Sequence, residues 1–407
     1  MRCSARRVAG WSGSADPARR RRAAIIAALG IGQIIVWGSS YYLIAVLARP
    51  IAASTGWPLP WVVGGSSVGF LVSGLLSPRI GRRIEAEGGR RVLGASAVLL
   101  AAGLLALAAA PSLPLYLAAW ALVGAGMGAG LYDPAFAALG RMYGEQARSA
   151  ITAVTLFGGF ASTVCWPLSA WLVERAGWRG ACVAYAAINL LVVLPLYALA
   201  LPPSDAPAAS PRHGARGTQD PPARRGAAFV LVAASTTLSA VVSTLISVHL
   251  LTVLQARGAT LGAAVAVGAL LGPSQVGARV LETAFGRRAH PVWGLLGSSV
   301  LMAVGLAVLF AAPGAAGAAI VLYGSGAGLR SIVRGTVPLA LFGPQGYAAL
   351  MGRIAMPSLI GQAAAPVLGG LLMARAGADA TVLLLVAAAV LNIVPALLLL
   401  PLARRPA

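Results

Sequence analysis

Part of this chain is written twice. Tyr143-Gly144 returns as Phe342-Gly343, Gln146 as Gln345, Ala150-Ile151 as Ala349-Leu350 and Pro167 as Pro366. Upstream, Gly128-Ala129-Gly130-Leu131 returns as Gly326-Ala327-Gly328-Leu329. A period of half the chain is far too long for a solenoid repeat. Both copies lie in strongly apolar sequence, so the expectation is two similar membrane-embedded halves related by an axis along the membrane normal.

Composition supports a membrane setting. The 407 residues are 58% hydrophobic and 10% charged, and the mean hydropathy is +0.83. So few charges cannot cover the surface of a soluble domain this long. Twelve apolar segments fit the length needed to cross a bilayer: 24–47, 61–79, 92–110, 115–138, 149–173, 180–200, 228–254, 261–280, 292–312, 317–341, 348–373 and 380–401. The domain reading is a basic tail (1–23), a six-helix bundle (24–201), a Pro- and Arg-containing linker (202–227), a second six-helix bundle (228–402) and a short tail (403–407). The tail lacks an apolar core, so it is not read as a cleavable signal peptide.

Arginine placement predicts orientation. All 31 basic residues are arginine, and the formal net charge is +21. In a soluble protein that charge would suggest nucleic acid; here the positive-inside rule accounts for it. The tail, the 79–91 loop with five arginines, Arg141, Arg148, the linker, Arg279, Arg287, Arg288, Arg404 and Arg405 fall on one face. The other face receives only Arg49, Arg175, Arg179, Arg257 and Arg375. Both termini are therefore expected in the cytoplasm, with the chain spanning a bacterial inner (plasma) membrane. Cys3, Cys165 and Cys182 form no metal or redox spacing, and no cofactor, metal or catalytic residue is expected.

The loop after the second segment reads Gly81-Arg82-Arg83-Ile84-Glu85-Ala86-Glu87-Gly88-Gly89-Arg90-Arg91. It resembles the signature of the major facilitator superfamily, G-x-x-x-D-R-x-G-(R/G)-(R/K). Gly81, Gly88, Gly89 and Arg90 match; Glu85 stands for the usual aspartate and Ala86 for the usual arginine. A carboxylate here can face the positive end of a neighbouring helix or pair with arginines. In segment eleven, Gly361, Ala365, Pro366, Gly369 and Gly370 follow a second family pattern, G-x-x-x-G-P-x-x-G-G, which drug–proton antiporters carry in segment five. This chain has Ser162, Trp166, Pro167, Ala170 and Trp171 there instead. Small residues at this spacing let helices pack closely, and the proline bends the helix.

The resemblance implies an all-α membrane protein of twelve transmembrane helices in two pseudo-twofold six-helix bundles, with segments 1, 4, 7 and 10 lining the path. Gln33, Trp37, Ser40 and Tyr41 lie at helical spacing in segment one and His249 lies in segment seven; all are pathway candidates, as is Arg330. Asp133 is the single carboxylate deep in an apolar stretch, and intramembrane ionisable groups are functional candidates. It is expected to pair with Arg330, Arg334, Arg82 or Arg90 and hold the cytoplasmic side closed. The competing role for Arg330 is to hold an anionic solute with its guanidinium fork.

The function expected is secondary active transport by alternating access: efflux of an organic anion, metalloid or drug-like compound. The alternatives are an uptake permease for a small metabolite such as a monocarboxylate or vitamin, and a transporter-like sensor without flux. No phosphate loop and no set of catalytic side chains suggests an enzyme. The implied partners are the lipid bilayer, a small-molecule substrate and protons as coupling ion, without nucleic acid, and the chain is expected to act as a monomer.

Overall fold

A backbone in lipid must satisfy its own N–H and C=O groups, and a helix does so within one segment. The computed structural model follows that rule, describing residues 17–203, 222–286 and 289–403. The expected tail before Pro17, most of the linker, Arg287, Arg288, Arg404 and Arg405 lie outside the described residues.

Among the described residues, nine helical stretches are long and apolar enough to cross a membrane. Leu113–Ala200 contains three successive spans and Tyr347–Leu402 two, which makes twelve in all. Span one is α1 (Pro17–Gly38) and α2 (Leu43–Thr55). Spans two and three are α3 (Leu59–Glu87) and α4 (Gly89–Ala109). Span four is α5 (Leu113–Gly130) followed by α6 (Tyr132–Tyr143). Span five runs from α7 (Ala147–Gly159) into α8 (Ala161–Ile188), and span six from α8 into α9 (Leu194–Ala200). In the second half, α10 (Pro222–Ala256) is span seven, and α11 (Leu261–Ala269) with α12 (Leu271–Phe285) is span eight. Spans nine and ten are α13 (Pro291–Ala311) and α14 (Ala316–Phe342). Spans eleven and twelve are α15 (Tyr347–Leu391) with α16 (Ile393–Ala403).

Gly177 and Gly377 reverse the chain inside α8 and α15. Their φ values of 68° and 81° belong to a region that side chains disfavour. They occupy equivalent places in the two halves. Polar contacts repeat the symmetry: Asn189 donates to Ser39 Oγ at 3.0 Å, tying span six to span one, and Asn392 donates to Ser239 Oγ at 2.8 Å, tying span twelve to span seven.

The halves meet through α3, α6 and α7 against α12, α14 and α15. These contacts gather toward the end that carries Pro17 and Ala403. A Cβ on Gly352 would collide with the Ser77 carbonyl and Gly81, so two backbones touch there. At the opposite end α2, α8 and α11 pack within their own halves.

Candidate functional site

An aromatic wall forms where span one breaks. α1 stops at Gly38, the chain turns through Ser39–Tyr42, and α2 resumes at Leu43. The sequence expectation of one continuous helical face from Gln33 to Tyr41 therefore stops at Gly38. Gln33 is fully buried and donates to the Gly130 carbonyl at 2.7 Å, while its amide oxygen accepts from the Trp37 indole at 3.0 Å. Ser40 turns back onto the Val36 carbonyl at 2.5 Å. The turn releases the aromatic rings toward the centre. Trp37 lies 4.9 Å from the Tyr132 ring centroid and 5.1 Å from that of Tyr41; Tyr41 meets Phe70 at 5.8 Å.

The second half contributes buried hydroxyls and two buried guanidinium groups, of which Arg279 lies against Gly159, next to the Gly158 on which Tyr132 packs. The Tyr41 hydroxyl lies beside Ser247 and Thr244 of α10. Tyr323 donates to Ser243 at 3.2 Å. Arg330, only 9% exposed, donates to Ser235 at 3.0 Å. Arg279, 5% exposed, donates to the Thr155 carbonyl at 3.0 Å and the Gln275 amide oxygen at 3.2 Å. Among the described residues no ion pair joins either guanidinium to a carboxylate. Such a buried charge is costly without a counterion.

Asp133 is joined to Arg334 alone of the four arginines considered. Both carboxylate oxygens accept, at 2.7 and 2.6 Å, in a bidentate fork. Arg330 and Arg334, one turn apart on α14, thus serve different partners. Glu85 faces a helix end: its Oε2 accepts from the Ala348 backbone N–H at 2.9 Å, at the start of α15. Gly81 packs on Ala348 and Gly352, while Gly88 ends α3 with a φ of 86°. Arg90 lies at the start of α4 and borders a surface cavity with Arg21 and Arg22.

His249 shares a hydrogen bond with the Pro366 carbonyl at 3.2 Å. A Cβ on Gly369 would meet His249 and Leu245, and one on Gly361 would meet Val241. The small residues of span eleven therefore form a groove that receives α10, whereas Gly370 has open space beside it. Pro167 sits inside α8. Arg279 was counted in the sequence only as a charge near a loop, and Arg148 likewise; Arg148 donates to the Gly286 and Ala289 carbonyls at 3.0 and 2.9 Å across the halves. The signal for Arg279 was its place at the end of an apolar run. Tyr42 and Tyr323 gave none.

This is the architecture of a two-bundle secondary transporter. The model of the Major Facilitator Superfamily matches residues 29–329, and the chain belongs to that family. It is thus a multi-pass membrane protein of a transporter family. The fold superposes on the human organic anion transporter MFSD10 (TETRAN) with a TM-score of 0.71 at 17% identity, over 94% of this chain and 100% of that one. FucP in its outward conformation gives 0.72 at 14% identity, over 93% and 99%. The proton:xylose symporter XylE bound to 6-bromo-6-deoxy-D-glucose gives 0.70 at 15%, over 94% and 96%. An uncharacterized 38 kDa protein in the 23S RNA operon of Thermoproteus tenax is 32% identical over 186 residues, 45% of this chain and 49% of that protein. The chain thus matches about half the length of that relative.

Proposed function

We propose that the chain carries a small organic anion with a planar or aromatic body, by alternating access, out of a bacterial cell across the inner membrane. The observation that carries this reading is the pair of buried arginines, Arg279 and Arg330, which have no carboxylate partner among the described residues; Arg279 lies against Gly159, next to the Gly158 on which Tyr132 of the aromatic wall packs. A carboxylate or phosphonate on the solute would supply the missing counterion, and its ring would stack among Trp37, Tyr41 and Tyr132. The organic anion transporter among the structural neighbours supports the anion reading.

The termini-bearing end is assigned to the cytoplasm on the arginine distribution, so the contacts around Asp133, Arg334, Glu85 and Ala348 form a closed cytoplasmic gate. Opening that end requires the Asp133–Arg334 ion pair to separate. The halves then rock around the central site.

The test is binding of an aryl-carboxylate panel, read by quenching of tryptophan fluorescence, followed by counterflow in proteoliposomes. The expected result is saturable binding that Arg330→Gln and Arg279→Gln each weaken at least tenfold, while neutral analogues of the same shape bind weakly. Equal binding of acid and neutral analogue would overturn the anion assignment. Epitope tags on the two termini check the orientation.

A further inference from the structure

Away from the central path, a basic cavity opens on the termini-bearing face of the first half. It encloses about 540 Å³ and is bordered by Arg21 and Arg22 of α1, Arg90 of α4 and Arg141 of α6. Among the described residues that border it there is no acidic side chain. The Arg22 guanidinium lies 5.0 Å from the centre of the Tyr143 ring, which holds one wall in place. The start of α4, at Gly89, adds a helix N-terminus whose preceding Gly88 offers no side-chain cap. All of this suits a phosphoryl group.

A second cavity of about 510 Å³ shares Arg90 and Pro203 with the first. It runs along α4 and α9 past Gly94, Ala95, Val98, Leu194 and Ala198, and it is apolar beyond its arginines. A Cβ on Gly94 would touch only Leu194, at 3.6 Å, so small residues keep this channel clear. A soluble phosphate would need the first cavity alone. A basic mouth adjoining an apolar groove between two spans, with Arg90 and Pro203 bordering both, has the two-part chemistry of a phospholipid.

We propose that this joined cavity is a binding site for one anionic phospholipid, its phosphate on Arg90 and Arg21 and one acyl chain along Gly94 and Ala198. The site is separate from the solute path, so it stands whatever the solute proves to be. A lipid here would tie α1 to α4, α6 and α9 at the end where the halves close.

The experiment uses the purified full-length protein in detergent, titrated with phosphatidylglycerol, phosphatidylcholine, inorganic phosphate or glycerol phosphate. Binding is read by native mass spectrometry and by melting temperature. The expected result is one tightly retained phosphatidylglycerol, held at least fivefold more tightly than phosphatidylcholine. Arg90→Gln and Arg21→Gln should each weaken it at least threefold. Gly94→Leu, or Ala198→Leu where that variant fails to fold, should weaken phosphatidylglycerol by a similar factor. Equal retention of both lipids, or unchanged phosphatidylglycerol affinity in Arg90→Gln and Arg21→Gln, overturns the proposal. So does protection by inorganic phosphate that matches that of the lipid and is insensitive to Gly94→Leu; that pattern marks a soluble-anion site.

Discussion

Arg334 of the second half grips both carboxylate oxygens of Asp133 in the first, at 2.7 and 2.6 Å. The side chains are 18% and 13% exposed, so water screens the pair little. It bridges two bodies that must separate if the site is to open toward the termini-bearing end. A strong contact in the right place for a gate has measurable consequences.

Removing either partner leaves a buried charge alone, at a cost of about 3–5 kcal/mol. Asp133→Asn and Arg334→Gln should therefore each lower the melting temperature and transport sharply. The swap Asp133→Arg with Arg334→Asp should recover much of both. A double-mutant cycle on melting and on counterflow measures the coupling; additive losses would show that the two side chains act independently.

Glu85 accepts from the Ala348 N–H at the start of α15. Glu85→Gln keeps an acceptor but loses the charge that favours a helix N-terminus, a loss of about 0.3–1 kcal/mol. Glu85→Ala leaves that N–H without a side-chain acceptor, and the cost rises to about 1–2 kcal/mol. Melting temperatures should fall in the order wild type, Glu85→Gln, Glu85→Ala.

Much of this contact set was legible in the sequence, for specific reasons. The carboxylate at position 85 lies in a glycine-flanked loop, where it meets either a helix end or an arginine, and the structure takes the first. Asp133 was conspicuous because lipid makes any deep carboxylate expensive. Its partner stayed one of four, since sequence places residues along a helix but not across two halves. The break at Ser39–Tyr42 follows Gly38 and two serines, a weak local mark in so glycine-rich a chain, and its place is set by tertiary packing, where Gly38 lies against Cys165. Arg279 was hidden for another reason. When nearly every helix face is apolar, periodicity no longer separates the face toward lipid from the face toward the path.

Gly352 and Gly81 bring α15 and α3 into backbone contact at the closed end. Gly352→Val cannot fit beside the Ser77 carbonyl, so it should hold the halves apart there and favour the opposite conformation. Alkylation of a cysteine placed at Ser331, in a background lacking the native cysteines, should then be faster from the termini-bearing side. An unchanged rate would mean that this contact is not part of the gate.

His290 precedes α13 and accepts a hydrogen bond from the Val292 N–H through Nδ1, at 3.4 Å. Only the neutral ring can accept there. Burial, with help from the nearby Arg148 guanidinium, holds the imidazole below its usual value of 6.5. Glu282, facing Arg148 from α12, is the acidic group of the cluster. Because the folded state resists protonation, the unfolded chain binds the proton first as pH falls. This contribution to stability is therefore complete above pH 6.5 and declines as pH drops through the lower folded value. His290→Asn keeps a capping acceptor without a titrating ring, so its melting temperature should fall less between pH 7 and pH 5 than that of the wild type. His290→Ala loses the cap at every pH, at about 0.5–2 kcal/mol. Parallel melting curves against pH for wild type and His290→Asn would remove His290 as the source of the dependence.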